Sequence, residues 1–284
     1  MYSRRNFITQ SALSAMGLVV TNKWLIKKKP VIGVQLYTLK SEMADIANVA
    51  KQIALIGYTD VEVYGYTDGL FFGKTPVEFK KYFTENGLSN SSGHYYLPDF
   101  LFKGDDDVWK KAIEAAQVMQ HEYMLIPWID KQYRGDAASY KRLAGRLNDA
   151  GQMCKNAGIQ LAYHNHDFEF ADLGNGITAM EIIAKETSAD LVKLEMDWYW
   201  VSYAGKKPLE LIQQYAKRIH LWHVKDLRKA DRVSTEVGNG QIDFKKIFDA
   251  KKASGMKYFY VEQEHFDGSP FDSIRKSYNY ISKL

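Results

Sequence analysis

Four short stretches of the chain carry imidazoles and carboxylates directly behind a run of apolar residues: His164-Asn165-His166-Asp167-Phe168-Glu169, Glu195-Met196-Asp197, His223-Val224-Lys225-Asp226 and Glu262-Gln263-Glu264-His265. Glu62 and His94 stand in comparable positions earlier in the chain. A single His or Glu behind a strand more often hydrogen-bonds a loop than does chemistry. Packing gives no reason, however, for so many such ends to choose imidazole or carboxylate. Two or three carboxylates with one or two imidazoles make a borderline-hard donor set suited to one divalent ion, Mn²⁺, Co²⁺, Mg²⁺ or Zn²⁺. The lone cysteine, Cys154, excludes a thiolate cage and an intrachain disulfide. Asp197, His223 and Glu262 are the expected ligands, with His164 the fourth. Strand alternation puts His164 and His166 on one face, and likewise Glu262 and Glu264, so either member of each pair can be the one that reaches the ion.

The same groups suit proton transfer. An imidazole of His164 or His166 opposite Glu262 gives one acid/base group on each side of a carbon, and an unperturbed imidazole pKa of about 6.5 suits transfer near neutrality. Lys225 could stabilise the oxyanion of an enediolate or enolate. Isomerisation or epimerisation and β-elimination both pass through that species, so the residues leave the two open. Glu62, His94, Trp128 and Trp200 are the expected substrate contacts, the tryptophans offering flat faces to the C–H face of a sugar. Trp222, one residue before His223, faces away from the site and reads as packing. Gly238-Asn239-Gly240 reads as a turn before the Asp243 helix cap rather than an anion cradle, which favours a non-phosphorylated keto-sugar, a small-molecule carbohydrate, as partner.

These groups need a scaffold that gathers strand ends. Short apolar, β-branched runs at 31–37, 59–64, 88–95, 123–128, 159–166, 191–197, 218–224 and 257–262 alternate with helical patterns at 43–56, 76–86, 105–120, 137–156, 177–187, 209–216, 244–253 and 272–282. Strands alternating with helices imply a parallel sheet. Eight such units predict a single-domain α/β fold, the (β/α)₈ TIM barrel, over residues 30–284, with the site at the C-terminal ends of the strands. A doubly wound sheet fits less well, because Leu36-Tyr37-Thr38-Leu39-Lys40 after the first strand has no glycine to let a pyrophosphate approach.

Of the 284 residues, 46% are hydrophobic and 25% charged, as in a globular enzyme. The net charge of +4 is local: residues 1–30 hold six basic side chains and no acid, so the remainder carries −2. No nucleic-acid partner is expected of that body. Ser3-Arg4-Arg5-Asn6-Phe7-Ile8 followed by an uncharged, moderately apolar run resembles a twin-arginine export signal, so residues 1–29 are expected to export the protein to the periplasm. The run is too short and polar for a comfortable membrane span, so no stable membrane insertion of the mature body is expected, and cleavage or an uncleaved anchor is left open. The sequence leaves the oligomeric state open.

The quoted motifs, with Ile32-Gly33-Val34-Gln35-Leu36-Tyr37 and Gly57-Tyr58-Thr59-Asp60-Val61-Glu62, resemble those of the xylose isomerase-like TIM-barrel superfamily, the sugar phosphate isomerases/epimerases, over essentially 30–284. The resemblance implies a divalent ion held by a Glu, an Asp, a His and a Glu from strands five to eight; Asp197, His223 and Glu262 match the last three. At strand five this chain has His164 instead of the Glu of the epimerases, and Trp200 replaces a His that touches substrate there. A Tyr-His-x-His strand end is closer to the inosose dehydratase-like branch. The implied activity is a metal-dependent sugar isomerase or epimerase. The alternatives are a lyase acting on a 3-keto-glycoside or inosose and a non-catalytic carbohydrate-binding barrel.

Overall fold

The computed structural model describes residues 31–284; the expected export signal lies outside the described residues. Eight parallel strands close into a barrel: β1 (Gly33–Gln35), β2 (Asp60–Val63), β3 (Ser89–His94), β4 (Tyr123–Ile126), β5 (Gln160–His164), β6 (Val192–Asp197), β7 (Ile219–Val224) and β8 (Tyr258–Val261). Each pairs with its neighbours in chain order, and β1 closes the ring on β8 with Gly33 opposite Tyr260. The helices are α1 (Ile46–Ile56), α2 (Pro76–Thr84), α3 (Asp106–Met119), α4 (Ala137–Asn156), α5 (Ala179–Glu186), α6 (Trp198–Tyr203), α7 (Pro208–Gln214), α8 (Phe244–Asp249), α9 (Lys251–Ser254) and α10 (Pro270–Ile281).

Local chemistry sets these limits. The Asp45 carboxylate accepts the Asn48 N–H to start α1, which buries Ile46, Val49, Ala50, Ile53 and Ile56 at helical spacing and stops at Gly57, φ 120°. Thr75 with Glu78 and Thr178 with Glu181 form reciprocal capping pairs at α2 and α5. The expected helix over 244–253 is broken at Ala250, where the backbone N–H turns back to Ile247 and Phe248. Two short hairpins, Tyr66–Thr67 with Leu70–Phe71 and Asp226–Leu227 with Ser234–Thr235, were not expected. No described helix is long and apolar enough to cross a membrane.

The barrel interior has an apolar layer and a polar one. Tyr123, Leu125, Ala162, Leu221 and Tyr260 form the lower layer, and strand alternation carries the next inward positions to Gln35, Glu62, Ser92, His94, His164, Glu195, His223 and Glu262. Every member of that upper layer is buried except His94, which is nearly so. Glycine at 33 is required by the lower layer: a Cβ there would lie 2.3 Å from the Tyr260 ring. The larger core, between strands and helices, takes Trp222 against Trp198 and Phe248, the outward packing expected of it.

Candidate metal centre

β6, β7 and β8 end side by side, with Asp197 opposite His223 in the β6–β7 ladder and Tyr260 opposite His223 in the next. Asp197, His223 and Glu262 consequently converge: His223 Nδ1 lies 2.7 Å from Glu262 Oε2 and 3.8 Å from Asp197 Oδ2. All three are buried, and one donor atom from each falls within 4.8 Å of the others. Asp197 also caps α6, its Oδ1 accepting the Trp200 N–H, and its own N–H donates to Asn165 Oδ1. That leaves Asp197 Oδ2 buried with no hydrogen-bond partner. An orphaned carboxylate oxygen beside an imidazole and a second carboxylate is a donor set that fits a divalent ion.

The expected fourth ligand, His164, lies in the neighbouring group of donors. It groups with His94, Glu195 and His223 in a second set, which shares His223 with the first. Its Nδ1 is 3.0 Å from Glu195 Oε2, which leaves Nε2 as its other donor atom. β5 ends at His164 and not at 166 as expected. His166 therefore lies beyond the ladder, its ring 4.9 Å from that of His164, 5.3 Å from Trp200 and 4.6 Å from Trp128. Its backbone N–H donates to Glu169 Oε2 at 2.8 Å, and Tyr163 donates to Glu169 Oε1 at 2.7 Å.

Glu62 and His94, two of the expected substrate contacts, are both tied into the imidazole layer. Glu62 has no accessible surface, and both oxygens are engaged, Oε1 by Gln35 and His223 and Oε2 by Ser92. It acts on the imidazoles through His223 and His94. His94 bridges two acids, with Nε2 3.1 Å from Glu62 and 3.0 Å from Glu195. Trp128 is 37% exposed. Trp200 lies under Lys225, whose Nζ is 4.9 Å from its ring and from that of Tyr199. Lys225 is fully buried, paired with Glu264, and 3.8–3.9 Å from Glu262 and Asp197.

Burial and charge split the titrating groups. Burial and the neighbouring His223 hold His164 well below the usual imidazole range; burial and the Lys225 charge do the same to His166, so both stay neutral near pH 7. Burial also resists charge on His94 and His223, but there the carboxylates win: Glu62 and Glu195 raise His94 to about 9, and Glu195, Glu262 and Glu62 lift His223 well above its ordinary value. Asp197 is pushed up to about 7 by burial against the pull of Lys225.

Sequence reasoning gave no role to several contributors. Gln35, Ser92 and Glu195 hold or extend the imidazole layer, and their inward positions were legible from strand alternation. Glu169 and Arg134 were not. Arg134 hydrogen-bonds the Ile129 carbonyl and stacks over Phe168 and Trp128, stiffening the wall beside His166. The loop at 238–240 cradles a carboxylate of the chain itself, since Asp226 accepts N–H groups from Gly238, Gly240 and Ile242.

A closed barrel with carboxylates and imidazoles at its C-terminal mouth defines a class of α/β-barrel enzyme scaffolds. The family described as xylose isomerase-like TIM barrel matches residues 50–284, and the chain belongs to that family. It is 28% identical over 268 residues to the inosose dehydratase of Geobacillus thermodenitrificans, covering 81% of this chain and 86% of that protein. The inosose dehydratase of Clostridium beijerinckii is 28% identical over 193 residues, and the chain spans only about three-fifths (62%) of its length. Among solved structures, a sugar phosphate isomerase/epimerase from Parabacteroides distasonis superposes with a TM-score of 0.78 at 28% identity, covering 88% of this chain and 93% of that one. The fold is shared also by the IOLI protein, solved with a bound zinc atom, at a TM-score of 0.67 and 16% identity, covering 89% and 96%.

Proposed function

We propose that the protein is a metal-dependent enzyme of isomerase or epimerase type that removes a proton from the carbon beside a carbonyl in a non-phosphorylated keto-sugar. The observation that carries this is the convergence of Asp197, His223 and Glu262 around the unpartnered Asp197 Oδ2, with a neutral imidazole and an ammonium nearby. A divalent ion held by these three residues, with His164 adjacent, would polarise the substrate's oxygens and favour the enolate. His166 is the base: it is neutral, its Nδ1 is buried without a partner, and Glu169 fixes its backbone. Lys225, held charged by Glu262, Asp197 and Glu264, faces the oxyanion. His166, an imidazolium after it takes the proton, carries the proton that is returned to the enediolate. Glu262, which Lys225 and His223 hold as a carboxylate against the effect of burial, is the second acid/base group and gives a proton only after it has taken one. The occupied Asp226 cradle supports a substrate without phosphate, and the zinc of the IOLI structure supports the presence of an ion.

A second reading is elimination of water or an alkoxide from the same enolate. It is favoured by the inosose dehydratase name of the Geobacillus relative, which matches most of the chain. Metal analysis tests what both readings share. Purified protein should hold a divalent ion that Asp197→Ala loses while keeping native circular dichroism; unchanged metal content in that variant contradicts the ligand assignment. Sugar binding without any metal would favour a non-catalytic carbohydrate-binding barrel. We also read residues 1–29 as an export signal and the mature protein as periplasmic, which an intact Met1 in a cytoplasmic fraction would contradict.

A further inference from the structure

Arg134 is a cation without an acid. Its Nε–H donates to the Ile129 carbonyl at 2.8 Å, and that is its one hydrogen bond among the described residues. Arg146 and Arg228, by contrast, each pair with two aspartates. Trp128 and Phe168 stand edge to face at 85°, and the half-buried guanidinium lies against both, 4.4 Å from the Trp128 ring centre and 3.4 Å from that of Phe168. Building on the reading that His166 deprotonates a keto-sugar, we infer that Arg134 binds a carboxylate on that sugar, so that the substrate is a keto-sugar acid and not a neutral sugar.

The acids around Arg134 are engaged elsewhere. Asp130 accepts the Trp128 Nε1–H, Asp136 caps α4 by accepting the Ser139 N–H, and the two Glu169 oxygens are taken by the Tyr163 hydroxyl and the His166 N–H. One of the guanidinium's five N–H groups is used and four remain. The fork is also held in place before any ligand arrives, bonded at Nε and packed against two rings, which lowers the ordering cost of binding. A cation that has exchanged part of its water for aromatic faces gains more from an anion than a fully solvated one does.

Place and chemistry agree. Trp128 and Phe168 are also ring neighbours of His166, at 4.6 and 5.9 Å, so the cation shares two walls with the proposed base. Trp200, whose ring centre is 5.3 Å from that of His166, has a buried indole nitrogen with no partner. An indole N–H can only donate. A guanidinium fork and an orphaned indole N–H beside the base make a donor-rich surround, which suits a group that only accepts, as a carboxylate does. Its planar pair of oxygens matches two parallel N–H groups of the fork. A phosphate is served less well, because the N–H groups of the 238–240 loop are already spent on Asp226.

The test is calorimetric titration of the metal-loaded full chain with D-glucose, D-glucuronate and D-glucose 6-phosphate, which differ only at C6. We expect glucuronate to bind about ten-fold more tightly than glucose or better, with the advantage shrinking as salt is added, and more tightly than glucose 6-phosphate. Arg134→Gln should bring glucuronate to within about two-fold of glucose, and Arg134→Lys, which keeps the charge without the fork, should fall between. No preference for glucuronate over glucose in the wild type overturns the inference, and this comparison decides the matter even where a variant fails to fold. A preference that survives intact in Arg134→Gln also overturns it, by placing the carboxylate at the metal centre, and tighter binding of glucose 6-phosphate than of glucuronate overturns the carboxylate. Failure of the underlying reading looks different: the glucuronate preference stays and Arg134→Gln abolishes it, but no keto-sugar exchanges its proton in D₂O.

Discussion

Glu169 does most of its work through a neighbour. Its side chain is fully buried, bonded to the Tyr163 hydroxyl and the His166 N–H, so it fixes the backbone from which the proposed base projects. Glu169→Gln keeps the size but offers only one accepting atom for two donors. We expect kcat to fall roughly ten- to a hundred-fold, as for other groups that orient a functional imidazole, with KM and metal content close to wild type. Equal loss of metal would show that Glu169 supports the whole centre rather than His166. The sequence announced the residue types here better than their roles. Asp197, His223 and Glu262 were legible because each follows an apolar strand and shares its inward parity. His164, expected as a fourth ligand, stands with His94, Glu195 and His223, because side-chain alternation fixes the face but not which side chains meet across the barrel. Glu169 was hidden because it lies in a 3-10 turn after the strand, where period-two spacing no longer says what points inward.

At the scale of elements, the polar layer rests on a tightly filled apolar one. Gly33→Ala would drive a methyl into the Tyr260 ring, and overpacking of this kind costs about 1–3 kcal/mol. Denaturant unfolding should show that loss, and the paired change Tyr260→Leu should recover part of it. Beneath Glu62, the Asp60 carboxyl is buried, and burial raises its pKa to about 6 despite N–H donors from Ser91 and Val61. A folded-state pKa above the unfolded value of about 3.9 means the neutral acid favours folding. Its stabilising contribution is complete below pH 4 and is lost as pH rises through 6. The wild type minus Asp60→Asn difference in unfolding free energy should fall by roughly 3 kcal/mol across that window; a flat difference would contradict the shifted pKa. The strand–helix alternation was readable because parallel strands buried on both faces are short apolar runs. The break at Ala250 and the two hairpins were not, since two-residue ladders and a single non-helical residue leave no periodic trace.

For the whole molecule, the barrel brings together acids and imidazoles scattered from Glu62 to Glu264, and that gathering concentrates buried carboxylates, which His94, His223 and Lys225 offset and the proposed ion would offset further. A ligand at a hundred times its Kd stabilises the folded state by about 2.7 kcal/mol, or about 5–10 °C in Tm for a protein of this size. Chelator treatment should lower Tm by that much, and re-addition of Zn²⁺ or Mn²⁺ should restore it, with no such response in Asp197→Ala. The central claim, proton removal beside a carbonyl at this centre, is tested most directly by proton NMR of candidate keto-sugars in D₂O with the metal-loaded protein. The account predicts deuterium entering at the carbon beside the ketone, with an epimer, an isomer or an unsaturated product following, and none of it in His166→Ala. Sugar bound by the metal-loaded protein with no exchange at that carbon, across keto-sugars and keto-glycosides, would contradict it.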